Sequence, residues 1–79
     1  MMQLTSLPDP ALETFINTVA EAVELGDSGQ PERGYNRLLG AQQRIRLACS
    51  RGEDWAEGLN QQYCLAMARY ANRYGVPPR

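Results

Sequence analysis

Two short breaks, GDSGQP at residues 26 to 31 and RGED at 51 to 54, divide the chain into three runs, and each run repeats its apolar residues every three or four positions. That period belongs to the α-helix, since a strand would alternate. In the first run Leu12, Phe15, Ile16, Val19 and Val23 form one stripe, with Glu13, Asn17, Glu21 and Glu24 on the other side. Asp9 is placed to cap this helix, Pro10 suits its first position, and Gly26 predicts its end. The second run starts at Pro31 and carries Gly34, Leu38, Ala41, Ile45 and Ala48 as its stripe, with Tyr35, Leu39 and Cys49 on a shoulder. Gly34 and Gly40 each cost about 1 kcal/mol of helix propensity against alanine, which predicts close packing or a bend. Gly52 closes the second helix, and Asp54 with Glu57 has the spacing of a capping box for the third. There Trp55, Leu59, Tyr63, Ala66, Tyr70 and Tyr74 line up, Met67 beside them, until Gly75, Pro77 and Pro78 stop the helix. The expected fold is all-α, a three-helix antiparallel bundle made of a helical hairpin and a packed third helix. The helices are predicted at about 10–25, 31–50 and 54–74, with flexible ends at 1–8 and 76–79.

A chain of 79 residues has room for one domain. It buries about 60 to 65 percent of its unfolded surface, so its core is thin and a deep enzymatic cleft is not expected. The net charge of -1 argues against a general polyanion binder, whose affinity comes from a strongly basic surface. The charges are blocked along the chain. Residues 1 to 32 hold six acids and no base, and residues 33 to 51 hold five arginines and no acid, a pattern that neutralises within a bundle or between copies.

The start of the chain has no basic segment followed by an apolar run, and nothing approaches a membrane span, so a cytoplasmic protein is expected. Cys49 and Cys64 are expected to be free thiols of a reducing compartment. In an antiparallel hairpin about Gly52 their levels differ by about 13 Å, whereas a disulfide needs Cα atoms within about 7 Å. Arginine as the only base fits a GC-rich bacterial genome.

Chemistry is scarce. With no histidine there is no imidazole base and no histidine ligand, and two cysteines without a CxxC do not make a zinc site in one chain. Cys49 near Arg46 and Arg51 is the one candidate nucleophile, and a free thiol on a helical shoulder is the simpler reading. GDSGQPERG lacks the lysine and the spacing of a phosphate loop. No catalytic residue, cofactor or metal is expected.

The candidate site lies on the second helix. At 100° per residue Arg33, Arg37, Arg44 and Arg51 fall within about 40° of one another, outside the apolar stripe, and Arg46 lies elsewhere. Leu47 projects among them as a possible anchor for a partner helix, and Leu65 lies off the third stripe near Arg69. A solvated face is the simpler reading; as a binding face it suits an acidic protein surface, a second copy presenting its acidic first helix, or phosphate. Nucleic acid is the lesser alternative, because the third helix opens with the acids of EDWAE and Tyr63, Tyr70 and Tyr74 fall on the apolar stripe rather than on a stacking surface. The expected function is a non-catalytic interaction or regulatory module, self-associating as a dimer or larger, with no membrane partner.

Ala22, Leu25, Gly34, Leu38 and Ala41 also keep the small and large intervals of a tetratricopeptide-type repeat. Residues 15 to 48 resemble one such helical hairpin. The pattern departs from the family at Thr18 and Glu21, where it has tryptophan and leucine, and at Arg46, where it has proline. The resemblance implies a peptide- or protein-binding surface rather than catalysis.

Overall fold

A computed structural model describes residues 9 to 76. Of the expected flexible ends at 1–8 and 76–79, residues 1–8 and 77–79 lie outside them, as does the side chain of Asp9 and with it the expected cap. The architecture is the expected one: α1 (Asp9–Asp27), α2 (Pro31–Ser50) and α3 (Asp54–Tyr74) run up, down and up. No strand occurs among the described residues, and no described helix is long and apolar enough to cross a membrane. Helix α2 is the centre of the molecule. Both α1 and α3 pack along it, and they meet each other less extensively.

All three helices stop by one device. Gly29, Gly52 and Gly75 take left-handed φ values of 83°, 80° and 69°. The following N–H then turns back to a carbonyl five residues earlier: Gln30 to Leu25 at 2.8 Å, Glu53 to Ala48 at 3.2 Å and Val76 to Ala71 at 3.1 Å. The first of these corrects the expectation that Gly26 ends α1. Gly26 lies inside the helix, and a Cβ there would stand 2.7 Å from the ring of Tyr74. Its smallness admits an aromatic ring. Val76, grouped with the loose end on sequence grounds, is buried against the core.

The start of α3 also differs from expectation. Asp54 is already helical, and the capping position belongs to Glu53, whose side chain makes no cap hydrogen bond. Its carboxylate instead accepts from Trp55 Nε1 at 2.9 Å and Arg51 Nε at 3.3 Å. The capping-box spacing is thus overridden by a tie across the turn.

The core is built in two halves along α2. Near the α2–α3 turn Ile45, Leu59 and Tyr63 gather with Ala41, Ala48 and Ala56. At the other end Leu38, Met67, Tyr70 and Val76 gather around Ala22. Every residue of the α2 stripe is buried as expected, and Gly34 explains itself. A Cβ there would meet Tyr70 Oη and stand 2.6 Å from the backbone oxygen of Ala22. Gly40 has nothing within 4 Å, so neither packing nor a close neighbour accounts for it. On α3 the buried row turns slightly from the expected one: Ala56 and Met67 are buried, while Trp55 and Ala66 sit half-buried on the side facing α1.

Candidate interaction groove

The first helix is where the stripe reading and the packing part company. Ala22 is fully buried against α2, whereas Leu12 is 40% exposed and Ile16 57% exposed. An amphipathic stripe can be wide enough to face two neighbours. In α1 the small row takes α2 and the bulky row is left beside α3. Because Ala22 and Gly34 bring the backbones of α1 and α2 together, α1 sits low on the hairpin and does not close over α3.

The result is an apolar trough between α1 and α3. One part, of about 410 Å³, has Ile16, Val19 and Val23 on the α1 side, Leu65, Ala66, Arg69 and Arg73 on the α3 side, and Leu38 and Tyr70 beneath. A second part, of about 500 Å³, continues past Leu12 toward Trp55, Gly58 and Leu59. Phe15 and Gln62 line both, so the two parts adjoin. Phe15 is the sill between them, its ring set edge-on to Tyr63 at 4.7 Å between centroids. Of the four large apolar side chains exposed among the described residues, Leu12, Ile16 and Leu65 (51%) line this trough.

The trough is fastened at one end. Tyr74, in the last turn of α3, donates its hydroxyl to Asp27 Oδ1 at 2.7 Å and lies 3.4 Å from the carbonyl oxygen of Val23. Arg73 reaches the same carboxylate at 3.9 Å and stacks over the Tyr74 ring at 5.2 Å. Tyr70 lies 4.6 Å from Tyr74 between centroids and donates to the carbonyl oxygen of Pro31 at 2.9 Å, tying α3 to the start of α2. These tyrosines are structural. Burial pushes the phenols of Tyr63 and Tyr70 above their ordinary value. Tyr74 is pushed up first by its hydrogen bond to Asp27.

The arginine stripe lies elsewhere, along the flank of α2 that meets the far side of α1. Arg37 Nη1 pairs with Glu21 Oε1 at 2.8 Å and Arg51 with Glu53 at 3.3 Å, both exposed. Arg33 donates to Gln30 Oε1 at 2.6 Å. Arg44 is exposed, and its charge acts on the Tyr63 phenol by lowering its pKa against the larger effect of burial. Leu47 is 60% exposed beside Gln43, Arg46 and Ser50, apart from the trough. Three of the four stripe arginines thus have partners in the chain, and acidic and basic blocks meet within it at Glu21–Arg37.

Sequence reasoning placed Leu12 and Ile16 in the core and missed the trough. The usable signal was the width of the α1 stripe, since seven apolar positions from Leu12 to Val23, Ala20 and Ala22 included, cover more of the helix than one neighbour needs. Among the described residues no three Cys, Asp or Glu side chains come together as a metal site would require. Cys49 is half-buried and Cys64 exposed, both as free thiols, and Gln42 donates to Cys64 Sγ and to Asn60 Oδ1 at 3.2 Å each. No protein-family model, no curated protein and no solved structure matches the chain.

Proposed function

We propose that the protein is a non-catalytic interaction module that works through a helical surface and self-associates through it. The observation that carries this is the trough, which holds three of the four exposed large apolar side chains in one strip between two helices. Apolar surface grouped in this way marks an interaction site, whereas single exposed residues need no explanation. Its lining is mostly aliphatic and aromatic, with Gln62, Asp54 and the guanidiniums of Arg69 and Arg73 among its few polar groups, which suits an apolar partner face. A core in which four of eleven buried apolar residues are alanine gains from further burial on association.

The arginine face of α2 supports a nucleic-acid role less well, because Arg37 and Arg51 already spend charge on Glu21 and Glu53. A reducing compartment such as the cytoplasm suits two free thiols.

Light scattering during gel filtration tests the proposal. The wild type is expected to run as a dimer or larger at high micromolar concentration. The Ile16→Asp/Leu65→Asp variant should be a monomer of unchanged helical content by circular dichroism. A wild type that stays monomeric at that concentration overturns self-association.

A further inference from the structure

We infer that two copies close the trough as an antiparallel pair about a two-fold axis that crosses the helices, α3 lying on α3 of the partner subunit and α1 on its α1. The inference rests on the self-association reading and names its mode of pairing.

The argument begins with α3. Asp54, Gly58, Gln62, Leu65 and Arg69 all line the trough, and at 100° per residue they fall within about 80° of one another. All five are exposed, on a face turned away from the buried row of Ala56, Leu59, Tyr63, Met67 and Tyr70. The exposed row has an acid at one end and a base at the other. Neither the Asp54 nor the Arg69 side chain has an ion-pair or hydrogen-bond partner among the described residues.

Reversed end to end, this row complements itself. A two-fold axis midway between positions 61 and 62 sets Asp54 opposite Arg69 of the partner subunit and Gly58 opposite Leu65 of the partner subunit, each twice by symmetry. Leu65 is 51% exposed, and a Cβ at Gly58 would meet nothing within 4 Å. A glycine inside a helix weakens it, and no neighbour in the chain requires this one. Against a second copy it leaves the gap that a leucine fills.

Helix α1 locates the same axis independently. Its exposed apolar side chains Leu12 and Ile16 come opposite each other about an axis level with position 14. Helices α1 and α3 run the same way, and Phe15 beside Tyr63 with Asp27 beside Tyr74 places position 14 of α1 level with positions 61 and 62 of α3. One rotation therefore pairs the charges, fills the gap at Gly58 and covers Leu12, Ile16 and Leu65. An axis along the helices would lay α1 on α3 and bring Asp54 level with the chain before α1, where there is no base. A standard interface takes about 800 Å² from each partner, about a seventh of the 5322 Å² accessible surface, and the α1–α3 side is one of three long sides of the bundle.

Charge exchange and cross-linking test the pairing together. By sedimentation equilibrium Arg69→Glu and Asp54→Arg are each expected to weaken the dimer about tenfold, since each sets like charges opposite at two symmetric positions. Mixing the two variants should restore affinity to within about threefold of wild type, because each contact in the mixed dimer is again acid on base. Gln62→Cys, in a Cys49→Ala/Cys64→Ser background, stands beside the axis and should form an intermolecular disulfide on mild oxidation, whereas Ser50→Cys on α2 should not. Circular dichroism confirms that the variants fold. If the wild type dimerises but the charge exchange changes nothing, or Gln62→Cys does not cross-link, the antiparallel pairing is overturned while self-association stands. A wild type that never dimerises overturns both.

Discussion

Gly34 and Gly40 lie six positions apart on one helix and have opposite meanings. A methyl at Gly34 runs into the backbone oxygen of Ala22, which cannot swing away as a side-chain tip can. Gly34→Ala is expected to cost about 1 to 3 kcal/mol of folding stability, the range for an overfilled contact. Gly40→Ala meets open space in a helix interior and should instead stabilise by about 0.5 to 1 kcal/mol. Urea denaturation of the two variants checks both signs. The tyrosines add a pH dependence. Tyr63 and Tyr70 have raised folded-state pKa values, while the unfolded chain ionises near 10. Below about pH 10 both states keep their protons and stability is level; above it the unfolded chain ionises first, and stability falls as pH rises through the folded-state values. A urea midpoint that drops between pH 9 and pH 11 confirms this, and an unchanged midpoint refutes it.

Among the elements, α1 reverses the usual weight of its residues. Its best-buried side chain is an alanine and its most exposed large one an isoleucine. Ala22→Leu should therefore cost about 1 to 3 kcal/mol by forcing α1 off α2. Ile16→Ser should change stability by about 0.5 kcal/mol or less when measured where the protein is monomeric. Thermal melts of the two variants decide it, and the opposite order would mean that α1 is packed the other way round. The reason for this reversal also marks how far the sequence could be read. The period showed three helices, and glycine and proline placed their ends to within two residues, because those signals are local. The α2 stripe was legible in full, since α2 has a neighbour along both sides and every apolar position on it finds a partner. The trough was not legible, because a wide stripe does not say which part of it faces which helix. That depends on the close approach at Ala22 and Gly34, which is set between segments far apart in the chain. Gln42, polar and buried, escaped for the same reason: its partners Asn60 and Cys64 belong to another helix.

At the scale of the molecule, helix α2 holds the structure together and the α1–α3 side is the one left to gain from a neighbour. A protein that associates through it melts at a temperature that rises with concentration, and calorimetry at two concentrations a hundredfold apart should show that rise. The Tyr74 fastening gives the same side a mechanical character. Its contacts with Gly26, Asp27 and Val23 pin the last turns of α1 to the last turn of α3, while Leu12 and Trp55 at the other end face open space. Such a pair of helices behaves as a clothes-peg with its spring at Tyr74. Opening motions then grow with distance from the spring, and in the monomer the amides of residues 13 to 17 should exchange their hydrogens faster than those of 22 to 26. The Tyr74→Phe variant cuts the bond to Asp27 and should reduce that gradient by loosening residues 22 to 26.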